Sequence, residues 1–199
     1  MSIIVDHAER QKEILRKALH LFGQHGYPEV TYRQIADACG LSRTSLYKYF
    51  TNKREIFDSA LLHLVLSLGE EFQATVKANP TLSEADKLEM VLQQAIDLML
   101  HNPDLLQTIL EYILALHRQS EPVARKIRRH TVAFRRTLMN LIRQGVAKGE
   151  FAPVDAALAS DHIYALMESA AIRIMLSDQV DRGLLVAHGK AVISALKHR

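Results

Sequence analysis

The chain has 199 residues, of which 48% are apolar and 24% are charged, and this composition is typical of a globular protein. The longest stretches without a charged residue cover 11 residues, too short to span a membrane, and a single cysteine excludes a disulfide framework and a cysteine-rich zinc site. The net charge is only +3, but the first 54 residues carry nine lysines and arginines against five acidic residues. This basic segment favours contact with a polyanion.

Apolar residues recur at helical spacing along almost the whole chain, so we predict an all-α protein of about nine helices without a sheet. The first ten residues lack the basic segment of a secretory signal, so we expect a cytoplasmic protein. The first helix carries an apolar stripe that ends before Gly26 and Pro28. Beyond Pro80 we expect longer helices at about 83–100, 103–118, 122–148, 154–177 and 182–197.

Two short helices follow the first one, in a segment that reads TYRQIADACGLSRTSLYKYF. Thr31 begins a capping box for one helix, and Ser42 is a suitable N-cap for the next, which we expect to reach about Tyr49. Gly40 supplies the sharp turn between them. These are the proportions of a helix-turn-helix, and the outward face of its second helix holds hydrogen-bonding groups and the cations Arg43 and Lys48, without an acid.

This segment resembles, in register, the N-terminal signature of TetR-type (TetR/AcrR) transcriptional regulators. The resemblance covers about residues 10–57 and rests on Thr31, Ile35-Ala36, Gly40-Leu41-Ser42, Leu46-Tyr47, Tyr49-Phe50 and Lys53. It implies a three-helix helix-turn-helix DNA-binding domain over residues 8–68, with the motif at 31–50, and a larger helical ligand-binding and dimerisation domain over 69–199. Cys39 stands where the family usually has alanine. Thr44 stands where glycine is common and places a β-branched side chain on the reading face.

The resemblance also implies which side chains approach DNA. Arg43 would bind a base such as guanine, Lys48 would contact phosphate or base, and Lys53 would hold a phosphate at the start of the fourth helix. The full set of expected DNA-binding residues is Thr31, Arg33, Ser42, Arg43, Thr44, Ser45, Tyr47, Lys48, Tyr49 and Lys53.

We call the second helix of the motif, which would contact the bases, the reading helix. One such helix covers too few base pairs to be selective, so we expect a homodimer on a palindromic double-stranded operator. From the resemblance we expect a ligand-responsive repressor. The alternative is a DNA-bound adaptor that recruits a protein partner and binds no small molecule.

Apolar residues of the last two helices favour a dimer interface, although they also suit a core within one chain. They are Ala156, Ala157, Ala159, Ile163, Leu166, Ala170, Ile174, Leu184, Leu185, Ala191, Val192, Ala195 and Leu196.

The larger domain would need an apolar cavity with a few polar groups. We expect a small, largely apolar effector and no cofactor. The candidate cavity residues are Leu64, Met99, Ile109, Tyr112, Ile113, His117, Phe134, Tyr164 and Glu168. The fourth helix, which begins near Asn52, would link the cavity to DNA, because a ligand beneath it would tilt the reading helices.

Other features have ordinary structural interpretations. The ten histidines include no short ligand pair, so we expect no metal site, although assembly from distant helices stays open. Basic residues crowd 125–136, which is typical of a solvated helix face, with a second contact to DNA or a protein as the alternative. Cys39 is typical of a core residue rather than a redox sensor. No phosphate loop, nucleophile elbow or HExxH motif occurs, so we expect no enzyme.

Overall fold

The computed structural model describes residues 2–118, 123–177 and 179–197, and the side chains within them except those of 2–6, 123–131 and 133. This part of the chain forms nine helices and, apart from one bridge between Phe151 and Lys197, no β-structure. The helices are α1 (Ser2–His25), α2 (Tyr32–Ala38), α3 (Arg43–Leu46), α4 (Lys53–Ala78), α5 (Glu84–His101), α6 (Pro103–Arg118), α7 (Val123–Ala147), α8 (Ala156–Leu176) and α9 (Arg182–Ser194). The all-α prediction is confirmed. Within the described ranges, none of these helices has the length and hydropathy to cross a membrane.

The helices form two compact units, each built from segments that are distant in sequence. The first unit holds Met1–Leu66 and Asp104–His130, and the second holds Ser67–Pro103 and Thr131–Arg199. Helix α4 therefore contributes residues to both units, and α6 belongs with the N-terminal helices. The functional division into residues 8–68 and 69–199 stays a prediction.

The core of the first unit begins with the apolar stripe of α1. Ile14, Ala18 and Phe22 are completely buried, as helical spacing in the sequence predicts. The chain leaves α1 at Gly26, which has a φ of +78°, and it turns between α2 and α3 at Gly40, which has a φ of +64°. A residue with a side chain is strained at these angles, so both glycines are needed for the turns.

Helix α6 packs into the first unit through one face. Thr108, Tyr112 and Leu116 follow one another at intervals of four residues, and each is at most 5% exposed. The Thr108 hydroxyl donates a hydrogen bond of 3.1 Å to the backbone carbonyl of Phe22, near the end of α1. This side chain joins α6 directly to α1, the helix that precedes the helix-turn-helix motif.

Tyr112 forms the centre of an aromatic cluster in the same unit. Its ring centroid lies 4.8 Å from that of Tyr27 and 4.6 Å from that of Phe57. Its hydroxyl donates a hydrogen bond of 2.7 Å to a carboxylate oxygen of Asp58 on α4. Burial and this hydrogen bond raise the pKa of Tyr112, so the phenol keeps the proton that it donates.

The second unit is built around α5, which packs against α8 and α9. Glu84, in the first turn of α5, is completely buried and accepts hydrogen bonds from Lys87 at 2.8 Å and Lys148 at 2.5 Å. Burial raises the pKa of Glu84, but the hydrogen bonds from Lys148 and Lys87 outweigh that effect and hold the pKa below its ordinary range. Glu150 closes the cluster by accepting a hydrogen bond of 2.6 Å from the Glu84 backbone N–H.

The apolar residues that favour a dimer interface in the sequence are mostly core residues of the second unit. Each of the following is at most 9% exposed: Ala156, Ala159, Ile163, Ala170, Ile174, Leu185 and Leu196. They pack within one chain, as in the alternative interpretation, and they cannot also face a second copy. The expectation that these seven residues form the interface is wrong, because helical spacing identifies an apolar face without identifying what covers it.

Candidate nucleic-acid interface

The reading helix α3 is a single turn held in place at both ends. It covers only Arg43–Leu46, and it ends before Tyr49 because the backbone N–H groups of Lys48 and Tyr49 bond to carbonyls three residues back rather than four. The Ser42 hydroxyl accepts a hydrogen bond of 3.0 Å from the Ser45 backbone N–H and so acts as the predicted N-cap. Completely buried Leu46 fixes the turn to the core.

Tyr32 at the start of α2 ties together the two ends of the helix-turn-helix. Its hydroxyl donates a hydrogen bond of 2.7 Å to the backbone carbonyl of Phe50, and its ring stacks on Tyr47 with centroids 4.6 Å apart. Burial raises the pKa of Tyr32 to about 12, so the phenol remains a donor. No local sequence pattern indicates this contact, since the partner of Tyr32 lies 18 residues away.

The expected DNA-binding residues lie on one short stretch of surface and differ in how freely they can reach a ligand. Those with exposed side chains are Thr31, Arg33, Ser42, Arg43, Thr44, Tyr47 and Lys48, whereas Ser45, Tyr49 and Lys53 are half-buried. The hydroxyls of Thr31 and Ser42 serve as helix caps, so they already have partners within the chain. Arg33 forms an ion pair of 3.7 Å with Asp37, and Tyr47 stacks on Tyr32. Arg43, Thr44 and Lys48 are exposed, and over the described residues their side chains form no hydrogen bond or ion pair, so we expect them to reach bases and phosphates.

Lys53 occupies a structural position in the first turn of α4. Its ammonium donates hydrogen bonds to the backbone carbonyls of Tyr27, at 2.8 Å, and Pro28, at 3.1 Å, and lies 4.5 Å from the centroid of the Tyr27 ring. Burial lowers the pKa of Lys53. Two of its three N–H groups thus hold the turn between α1 and α2, and one remains for a phosphate.

Two residues of α1 contact the helix-turn-helix motif, and the sequence analysis does not predict either contact. The Arg10 guanidinium donates a hydrogen bond of 2.9 Å to the backbone carbonyl of Cys39, beside the turn at Gly40. The ring of His7 stacks on Tyr49 with centroids 4.6 Å apart. Both contacts join residues far apart in sequence, and no periodicity or capping pattern reports them.

Cys39 is part of the core of the first unit. It is 3% exposed, and burial raises the pKa of its thiol. A redox sensor needs an accessible thiolate with a lowered pKa, so the environment of Cys39 favours the interpretation as a core residue.

The nine candidate cavity residues are divided between the two units. Leu64, Ile109, Tyr112, Ile113 and His117 belong to the first, and Met99, Phe134, Tyr164 and Glu168 belong to the second. Tyr112 is engaged with Asp58, and His117 and Glu168 are exposed. Phe134 lies between Phe72 and Tyr164, with centroid distances of 5.4 and 6.4 Å. That these nine residues bind an effector stays a prediction.

A separate open cleft lies within the second unit, between α5 and the C-terminal part of α4. It has a volume of about 360 Å³ and is lined by Leu68, Glu71, Phe72, Gln94, Asp97, Leu98 and His101. None of the nine candidate cavity residues lines it.

The remaining sequence features concern metal ions and the basic segment of α7. Over the described residues, no group of three or more histidine, cysteine, aspartate or glutamate side chains is arranged to hold a metal ion. Most of the basic face at 125–136 lies outside the described side chains. Of its described members, Arg135 forms an ion pair with Asp161 and lies 5.3 Å from the Tyr164 ring.

Two family models match successive parts of the chain. The model for bacterial regulatory proteins of the tetR family matches residues 14–60, and a model for a tetracyclin repressor-like C-terminal domain matches residues 81–172. The first covers α2, α3 and the second half of α1, and together the two models span most of the chain.

Curated relatives and solved structures agree with these matches. The chain is 25% identical over 169 residues to the nucleoid occlusion factor SlmA of Haemophilus influenzae, covering 83% of this chain and 75% of the relative. It is 25% identical over 144 residues to the HTH-type transcriptional repressor KstR2 of Mycobacterium tuberculosis, covering 72% and 70%. The structure of the transcriptional regulator FadR of Bacillus subtilis in complex with stearoyl-CoA superposes with a TM-score of 0.72 at 22% identity, covering 92% and 96%.

The anchored reading turn, its exposed arginine, threonine and lysine, and the matches to both halves of the chain lead to one assignment. The protein belongs to the tetR family of bacterial regulatory proteins and is a helix-turn-helix DNA-binding transcriptional regulator.

Proposed function

We propose that the protein is a cytoplasmic repressor that binds a palindromic operator as a homodimer and changes its affinity for DNA when a small molecule binds. One observation carries this proposal. Arg43, Thr44 and Lys48 project from a turn that Leu46 holds against the core, so bases and phosphates would meet fixed groups. The repressor relative KstR2 supports the sign of regulation.

The exposed faces of α8 and α9 support a homodimer. Leu158, Ala165 and Ile172 are exposed at intervals of seven residues on α8. The apolar residues exposed at helical spacing are Leu184, Ala187 and Ala191 on α9 and Ala195 at its C-cap. Leu158, Ile172 and Leu184 are each about half exposed, which is costly for large apolar side chains unless a second surface covers them. Two copies related by a two-fold axis could bury these faces as a four-helix bundle.

The position of α6 supports transmission of an effector signal to the reading helices. Its hydrogen bonds from Thr108 to Phe22 and from Tyr112 to Asp58 connect it to α1 and α4 of the same unit. A ligand that displaces α6 would therefore move both helices with it. FadR, whose structure contains stearoyl-CoA, supports a largely apolar effector for proteins of this fold.

The proposal is tested by selecting bound sequences from a random pool of double-stranded DNA with the purified full chain. We expect an inverted repeat whose half-sites are centred about 34–36 Å apart, one helical turn of DNA, because the two-fold axis of the protein must match that of the operator. Enrichment of a single half-site, or of no sequence, would contradict the proposal.

The adaptor alternative is favoured by one observation, the similarity to SlmA, a nucleoid occlusion factor. An adaptor would bind DNA without responding to a small molecule. Thermal unfolding against a panel of metabolites distinguishes the two, because a ligand that binds the folded state raises the melting temperature by mass action. A regulator gives at least one saturable shift that also changes operator affinity, whereas an adaptor gives none.

A further inference from the structure

We propose that the cleft between α4 and α5 binds a small organic cation with an apolar body. This inference rests on the proposed function only in regarding the occupant as an effector. The site differs from the cavity that the sequence predicts, because all its lining residues belong to the second unit and none of them is among the nine candidates.

The shape of the cleft suits a small molecule. Its volume of about 360 Å³ lies within the range of known ligand sites, roughly 300–1,000 Å³. Leu68 and Phe72 from α4 and Leu98 from α5 supply its apolar lining. A hydrogen bond of 2.9 Å from the amide of Gln94, which lines the cleft, to the Thr75 hydroxyl joins α5 to α4.

The charged groups of the cleft select the sign of the ligand. Its lining includes two carboxylates, Glu71 and Asp97, and neither lysine nor arginine. The one histidine of the lining, His101, has its Nδ1 2.6 Å from the backbone carbonyl of Asp97. Asp97 is already neutralised, because the Arg182 guanidinium donates hydrogen bonds of 2.5 and 2.8 Å to its two oxygens. Glu71 is exposed and forms no ion pair with any described residue. Over the part of the chain that the structure describes, the cleft thus presents one carboxylate without an ion-pair partner, that of Glu71, beside an apolar surface.

This combination distinguishes a cation from other ligand classes. An apolar cation can place its body against Leu68, Phe72 and Leu98 while its charge stays near Glu71 at the open side, where both ions keep part of their hydration. An anion of the same size would bring a second negative charge close to Glu71. A neutral ligand would gain the apolar contact alone.

The test uses benzyltriethylammonium as the cationic probe and benzenesulfonate as an anionic aromatic probe, with the full chain in the absence of DNA. Methyl NMR of leucine-labelled protein reports where each probe binds. We expect the cation to shift the Leu68 and Leu98 methyl signals in a saturable way and the sulfonate to leave them unchanged. Equal shifts with both probes, or shifts confined to leucines outside the cleft, would overturn the proposal.

Two neighbouring glutamates provide a matched pair of variants. Glu71→Gln should weaken binding of benzyltriethylammonium about fivefold, the effect of one unit charge about 4 Å away in water. Glu70→Gln removes the same charge from an exposed residue that does not line the cleft, and should change affinity less than twofold. Circular dichroism checks that both variants are folded. Equal effects of the two substitutions would mean that the cation responds to the general charge of α4, and would overturn the site.

Operator binding is then measured with and without saturating cation. A change in operator affinity supports the role of the occupant as an effector. Unchanged affinity despite saturation of the cleft overturns that role. If the selection from random DNA enriches no inverted repeat, the proposed function is wrong. Binding of benzyltriethylammonium to the cleft is measured without DNA and does not depend on that result. The failure of the proposed function and the failure of the cleft proposal can therefore be distinguished.

Discussion

Arg43 and Lys48 are both exposed cations in the reading segment, yet they should affect DNA binding differently. Arg43 stands at the first position of α3, where a guanidinium can bind a base edge through two hydrogen bonds. Arg43→Ala should cost about 1–3 kcal/mol at one base position of each half-site and relax the preference there. Lys48→Ala should weaken all sequences evenly and reduce the dependence on salt.

Selection of bound sequences from a random DNA pool measures the base preference of Arg43→Ala. Titration over a range of salt concentrations measures the salt dependence of Lys48→Ala. The two variants serve as controls for each other. An unchanged base preference in Arg43→Ala would show that this arginine contacts phosphate only.

Lys53 is expected to contribute to stability as well as to DNA affinity. Lys53→Met keeps the aliphatic stem but loses two hydrogen bonds to the carbonyls of Tyr27 and Pro28, which should lower the free energy of unfolding by about 1–3 kcal/mol. The predicted phosphate contact of Lys53, one in each half-site, would be lost as well. The slope of log K against log salt should become shallower by roughly two per dimer, at about 0.9 per phosphate.

Urea unfolding and salt titration separate the two contributions of Lys53. Lys77→Met, at an exposed position near the end of the same helix, is the control and should leave both measurements unchanged. A loss of stability with an unaltered salt slope would mean that Lys53 acts only on the turn between α1 and α2.

At the scale of single helices, α6 is fastened to the first unit by the Tyr112 hydroxyl. Tyr112→Phe keeps the ring against Tyr27 and Phe57 but removes the hydrogen bond to Asp58, so we expect a loss of about 1 kcal/mol in the free energy of unfolding. Hydrogen exchange should accelerate along Pro103–Arg118. Tyr47→Phe, whose ring is half exposed, should cost much less. Equal stability of the two variants would show that the Asp58 contact does not hold α6.

The start of α5 depends on a buried ion cluster. Glu84→Ala leaves Lys87 buried without its partner and should lower the free energy of unfolding by about 3–5 kcal/mol, whereas Lys148→Ala, at a half-exposed lysine, should cost about 1 kcal/mol or less. Because the pKa of Glu84 is lower in the folded chain than in the unfolded one, this stabilisation is present above the unfolded pKa and is lost as the pH falls through the folded pKa.

Chemical unfolding between pH 3 and 7, roughly the range around an ordinary glutamate pKa, measures the effect. The wild type should lose more stability than Glu84→Ala as the pH falls. Parallel curves for the two proteins would contradict the role assigned to Glu84.

The features that the sequence predicts correctly at this scale are those with local causes. Thr31 and Ser42 cap their helices as expected, because a cap needs only a side chain and a backbone N–H two or three residues ahead. Asn52 accepts the equivalent hydrogen bond at the start of α4, from the backbone N–H of Glu55. The buried stripe of α1 follows from helical spacing. The position of α6 and the contacts of Lys53, Arg10 and Tyr32 depend on residues 18 to 86 positions away, and no local pattern encodes them.

For the molecule as a whole, the exposed stripe of α9 should decide the oligomeric state. Ala191→Glu places a charge in the middle of the proposed interface, where burial without a partner is costly, so the dimer should dissociate. Analytical ultracentrifugation should give about twice 22.5 kDa for the wild type and one chain mass for the variant. Ala74→Glu, at an exposed alanine of α4, is the control and should remain dimeric. A monomeric wild type at micromolar concentration would refute the dimer.

The position of α6 in the first unit also determines how this protein can be recombined with its relatives. A hybrid regulator made by joining two chains at residue 68 would combine α1 and the N-terminal part of α4 from one parent with α6 of the other. The hydrogen bonds from Thr108 and Tyr112 would then meet foreign partners. To transfer DNA specificity between two such proteins, the exchanged residues must therefore include the buried face of α6. Alternatively, only the few exposed side chains of α3 and the residues after it are exchanged. The segment that can be exchanged to transfer DNA specificity is therefore smaller than the compact unit that contains it.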